Sequence, residues 1–145
     1  MQVPTHVTGV LEHESGALTT VFMSFDTWAA RLPRIEVHGT EGSVSVPDPN
    51  GFDGTVEIAT ATNRDWTEVP VAGGYAGAGR GVGVADMARA LRNGEPHRAD
   101  GALAYHVLDV LESLLEAAVQ DQPVDVASTV DRPSAVPLGA SPESA

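Results

Sequence analysis

From Val7 to Val71 apolar residues recur in short runs separated by turn formers. "VTGVLEH", the turn "ESG" and "ALTTVFMSFDT" have the form of a hairpin, with β-rich runs on either side of a glycine turn. Further on, "RIEVHG" sets Ile35 and Val37 against Arg34, Glu36 and His38, and after "TEG" the run "SVSVP" sets Val44 and Val46 against serines. Alternation at period two buries one face of this second hairpin. "TVEIAT" and "WTEVPV", beyond the turn-rich "DPNGFDG", complete about six strands. Links this short cannot make parallel crossovers, so the meander is predicted to be antiparallel.

After the glycine-rich stretch "GGYAGAGRGVGVAD", Gly73 to Asp86, the period changes. Val84, Met87, Ala88 and Leu91 fall at helical spacing, with Gly94 where a C-terminal cap belongs and Pro96 just beyond. A longer helix follows Asp100, its predicted N-cap. Leu103, Val107, Leu111, Leu114 and Ala118 form its apolar stripe, widened by Leu108, Leu115 and Val119, while Asp109, Glu112 and Glu116 face solvent. "QPVDVAS" reads as one more short strand. Strands first and helices second predict an α+β domain: an open, mostly antiparallel sheet of about six strands with two helices packed on one face. The domain is placed at residues 1–130, and the Pro/Ser/Ala-rich residues 131–145 are expected to be disordered or loosely attached.

Charge narrows the partners. Twenty acidic against eight basic residues give a net charge of -12, and the basic residues are scattered along the chain. Such a surface repels a phosphate backbone, so neither nucleic acid nor an anionic membrane is an expected partner. There is no cysteine, hence no disulfide, thiolate nucleophile or thiolate metal site. "MQVPTHVTGV" lacks the cationic start and apolar run of a signal peptide, and no apolar segment nears the roughly 20 residues of a membrane span. A cytoplasmic protein is the expectation. All the basic residues are arginine, so a mechanism that needs a lysine ammonium cannot be carried by this chain.

The glycine-rich stretch raises the question of a phosphate cradle, because unpaired N–H groups at a helix start point at anions. Its spacing answers against a dinucleotide loop. Valine stands at position 82 after Gly77 and Gly79, and at position 84 after Gly79 and Gly81, so there is no G-x-G-x-x-G, and the Walker pattern needs a lysine. The stretch reads as a flexible crossing in which Tyr75 and Arg80 are the ligand contacts, Arg80 placed to meet an anion at the helix start. His6, His13, His38, His97 and His106 show no metal-ligand spacing, and His106 reads as a packed or surface residue. No catalytic or metal-binding residue is predicted. The loop "FDTWAARLPR" carries Trp28, Arg31 and Arg34, an aromatic and two guanidiniums suited to stacking on and hydrogen-bonding a polyol or acid. The competing account has Trp28 covering the edge of the core.

In order, "VPTHVTGVLEHESGALTTVFMSFDTW", "LPRIEVHGTEGSVSVPDPN", "RGVGVADMARALRNGEPHRADGALAYHVLDVLESLLEAA" and "PVDVASTVDRP" resemble the C-terminal region of oxidoreductases of the Gfo/Idh/MocA family. These are NAD(P)-dependent dehydrogenases of sugars, inositols and related polyols. The resemblance runs to about Pro137 and implies an open antiparallel sheet backed by helices. By it, Trp28 and Arg31 occupy a loop that often faces substrate, and Tyr75 and Arg80 the segment leading into the first helix. The family's nucleotide-binding Rossmann domain, its catalytic lysine and its catalytic Asp and His have no counterpart here. The resemblance therefore implies a substrate-wall and oligomerisation domain that binds no cofactor alone, NAD(P) belonging to the full-length family. The implied partners are a second copy meeting it through the sheet, or a Rossmann-domain chain, with a small polyol as substrate. A stand-alone carbohydrate-binding or scaffold module is the alternative.

Overall fold

The computed structural model describes residues 3–70, 73–75, 77–137 and 140. Val71, Ala76 and most of the tail beyond Pro137 lie outside these. The elements run β1 (His6–Glu12), β2 (Leu18–Ser24), β3 (Ile35–His38), β4 (Gly42–Val46), β5 (Val56–Thr60), β6 (Thr67–Val69), α1 (Val82–Asn93) and α2 (Gly101–Gln120). The α+β reading holds, and every strand pair is antiparallel. The strands divide between a two-stranded sheet, β1-β2, and a four-stranded sheet, β3-β4-β5-β6. The chain forms two compact units. One comprises residues 1–31 and 101–131, the other residues 32–100 and 132–145.

In the first unit, the hairpin is closed by the Gly16 N–H donating to the His13 carbonyl at 2.8 Å, with Gly16 at φ 81°. Val7, Gly9 and Leu11 alternate inward along β1. Gly9 admits α2, because a Cβ built there would stand 2.6 Å from Leu114 Cδ2. The face that α2 turns inward carries Leu103, His106, Val110, Ser113, Leu114 and Ala117. That face is rotated from the predicted stripe, leaving Val107, Leu108, Leu111 and Val119 exposed. After α2 the chain forms no strand at 122–128, and at its end the Ser128 N–H donates to Asp109 of the helix instead of to a ladder.

In the second unit the register places Ile35 opposite Val46, Val37 opposite Val44, Val44 opposite Ile58 and Val56 opposite Val69. Facing pairs share a side of the sheet, so these residues make one apolar face, while Glu36, Ser43, Ser45, Glu57 and Glu68 occupy the other. No strand residue on either face is fully buried, and Val37 is 58% exposed. Helix α1 ends as its sequence predicts. Gly94 adopts φ 69°, and the Glu95 N–H returns to the Ala90 carbonyl at 2.9 Å, satisfying a terminal acceptor.

Candidate functional site

A cleft of about 400 Å³ opens within the second unit at the start of α1. Two turns build its mouth. Asp48 Oδ1 accepts from the Asn50 N–H at 2.9 Å and the Asp48 carbonyl from the Gly51 N–H at 3.1 Å, which places Asn50 on the rim. On the other side the Ala78 N–H donates to the Tyr75 carbonyl at 2.9 Å in a turn where Gly77 takes φ 72°, a conformation that explains a glycine there. Phe52, Val82, Met87 and Val136 supply apolar wall.

At the base lies Asp86, 7% exposed. Its Oδ2 accepts the Arg98 backbone N–H at 3.2 Å, while Oδ1 accepts from the Arg98 guanidinium and from Arg89 at 3.3 Å. Burial pushes this carboxyl upward. The Arg98 amide, the Arg98 charge and Arg89 outweigh that push and hold it below the usual carboxylate range. Arg98 also donates to the Ser134 carbonyl at 3.0 Å and to the Ala135 carbonyl at 3.3 Å. It is thus a strut that attaches residues 134–135, the start of the predicted tail, to α1.

Arg80 differs from Arg98. Its guanidinium donates to the neutral Asn50 Oδ1 at 2.5 Å, and among the described residues it forms no ion pair. Its charge is therefore not neutralised within the cleft. Tyr75, 8% exposed, is among the most buried residues described.

Of the predicted ligand contacts, the structure brings Tyr75 and Arg80 into this one cleft. Trp28 and Arg31 belong to the other unit, where both are exposed; Trp28, at 102%, covers no core edge. Sequence reasoning missed Asn50, Asp86, His97 and Arg98. The spacing of Asp86 and Arg89, three apart on a helix, was a legible sign of an ion pair.

A second polar cluster lies in the first unit, where His106 Nδ1 sits 2.8 Å from Ser128 Oγ and Asp109 Oδ2 accepts the Ser128 N–H at 2.8 Å. The cluster is an anchor for residues 127–128. The Ser128 hydroxyl and N–H, aided by His106, hold the Asp109 carboxyl below its ordinary value. A depressed pKa means that the anchoring is complete above the unfolded value of about 3.9 and is lost as pH falls through the lower folded one. Asp109→Ala is expected to speed hydrogen exchange at the Ser128 amide at least about tenfold at pH 7, and unchanged protection would refute the anchor.

Among the described residues no group of three His, Asp or Glu side chains is placed to hold a metal ion, and no helix is long and apolar enough to cross a membrane. Among the described residues the glycine stretch does not sit in a Rossmann βαβ unit. The strand before the glycine stretch is antiparallel to its neighbour, and α1 is followed by a helix in place of a second parallel strand.

Residues 1–45 match the family model of the GFO/IDH/MocA C-terminal domain. The matched stretch holds β1, β2, the loop with Trp28 and Arg31, β3 and nearly all of β4. This match supports the resemblance to the C-terminal domain of that family. No curated protein and no solved structure matches the chain.

Proposed function

We propose that this chain is the substrate-wall and oligomerisation domain of an NAD(P)-dependent sugar or polyol dehydrogenase of the inositol type, with no hydride-transfer chemistry of its own. The observation that carries this reading is the family match over residues 1–45. Two further features support it. The chain contains no lysine and no dinucleotide loop, so the nucleotide and the proton-transfer groups must come from another domain. The apolar face of the four-stranded sheet, with Ile35 and Val37 at 40% and 58% exposure, is the kind of surface that a second copy covers.

The test is complementation. Co-expression with a Rossmann-domain chain of the same family is expected to yield polyol-dependent NADH or NADPH formation that neither chain gives alone. The isolated chain is expected to show no NAD(P) binding by calorimetry and to be a dimer by light scattering at tens of micromolar. Micromolar nucleotide affinity or a clean monomer would contradict the respective half of the proposal. A stand-alone carbohydrate-binding or scaffold module is the second reading, favoured by the cleft at Tyr75 and Arg80, and neutral-sugar binding without any partner chain would mark it.

A further inference from the structure

Two of the chain's eight basic residues, Arg89 and Arg98, pair with the Asp86 carboxylate, and a third, Arg80, lines the same cleft. Asp86 balances only one of them. In a chain of net charge -12, the charged residues lining this cleft are Arg80 and Arg98 against Asp86 alone, while Asp48 in the turn at its mouth is paired with Arg34. The excess has a definite place, because Arg98 is paired with Asp86 and Arg80 is tied only to a neutral amide oxygen. Helix α1 adds to it: Gly81 provides no side-chain cap, and no acidic residue stands in the first turn.

Two further groups face the same cleft with capacity to spare. Tyr75 is more than nine-tenths buried and lines the cleft, and among the described residues its hydroxyl makes no hydrogen bond. His97 directs Nδ1 at the Ala99 carbonyl at 3.1 Å; a carbonyl only accepts, so Nδ1 carries the proton and Nε2 of the neutral ring is an acceptor. The walls between these groups are apolar, through Phe52, Val82, Met87 and Val136, and the volume of about 400 Å³ exceeds what an inorganic ion needs.

From these groups together we propose that the cleft binds a small hydroxylated ring carboxylate. Arg80 takes the carboxylate, the apolar walls hold the ring, and Tyr75 and His97 meet its hydroxyl. A neutral sugar would make no use of the Arg80 charge, and a bare phosphate would leave the apolar wall unfilled. This inference rests on the cleft being a ligand wall and names the class of ligand. A failed complementation would leave it standing, whereas a failed titration would leave the dehydrogenase reading intact with a different substrate.

The test is titration of the full chain with 4-hydroxybenzoate, its uncharged methyl ester, glucose and inorganic phosphate, followed by calorimetry and by the amide shifts of residues 79–83. The acid is expected to bind with a Kd below about 1 mM and to move those amides. The ester and the Arg80→Gln variant are expected to weaken binding at least about tenfold, and Tyr75→Phe about threefold or more. Arg80 is exposed, so Arg80→Gln keeps the fold, which circular dichroism checks. An acid that fails to bind, an ester or Arg80→Gln variant that binds equally well, shifts elsewhere in the chain, or tighter binding of glucose or phosphate would each overturn the proposal.

Discussion

Asp86→Ala is expected to destabilise the second unit by about 3 kcal/mol, lowering its thermal midpoint by roughly 12–24 °C at pH 7. The size follows from what the carboxylate holds together. It receives the Arg98 amide, the Arg98 guanidinium and Arg89 while itself 7% exposed. Removing it strands two cations, one of which, Arg89, already has a buried Nε without a partner among the described residues. Arg98 would also lose the contact that aligns it with the Ser134 and Ala135 carbonyls, so the loss spreads along the strut. The pH dependence has a fixed sign. Arg98 and Arg89 overcome burial and depress the folded pKa, so the stabilisation is fully present above the unfolded value of about 3.9 and fades as pH falls through the lower folded value. Thermal melts of both proteins at pH 7 and pH 3 check this. The gap between them should be widest at pH 7 and should narrow at pH 3; a gap that widens in acid would refute the assignment.

Gly42→Ala is expected to cost about 2 kcal/mol or more, through a different cause. A Cβ at Gly42 would fall inside van der Waals contact with the Ala59 carbonyl oxygen, with the Thr60 Cα at 3.3 Å. Both obstacles are backbone of the neighbouring strand β5, so no side-chain rotation relieves them. Gly42 also closes the β3–β4 turn, its carbonyl accepting the Gly39 N–H at 2.8 Å. Gly9→Ala is the contrast. There the obstacle is the end of the Leu114 side chain, which can rotate, so a smaller loss is expected. Denaturant melts of the two variants distinguish backbone from side-chain obstruction, and equal losses would show that the strand contact at Gly42 yields.

The elements were legible because their signals are local. Alternation in "RIEVHG" and "SVSVP" and the Gly94 cap each depend on a few adjacent residues. The sorting of six strands into two sheets was not, since it depends on which hairpins pair with each other. Nor was the inward face of α2. Its apolar residues extend so far around the helix that the choice falls to tertiary contacts, the space above Gly9 and the anchoring of Ser128 by Asp109. Tyr75 and Arg80 were legible as ligand contacts because they punctuate a glycine-rich run. Asn50 was not, being brought to Arg80 across thirty positions, and the bond from Arg98 to Asp86 spans twelve.

The interleaving of the two units bears on how the chain is made. The β1–β2 hairpin emerges from the ribosome first, yet α2, which packs above Gly9, begins only at Gly101. At about 5–20 residues per second the hairpin waits several seconds for its helix, and a lone two-stranded hairpin is marginal in water. The intervening residues, 32–100, can complete their own sheet in that interval. The order of synthesis thus favours the second unit, with the first completed only at the end, so a nascent chain arrested before Gly101 should present the hairpin to chaperones while the four-stranded sheet is already formed.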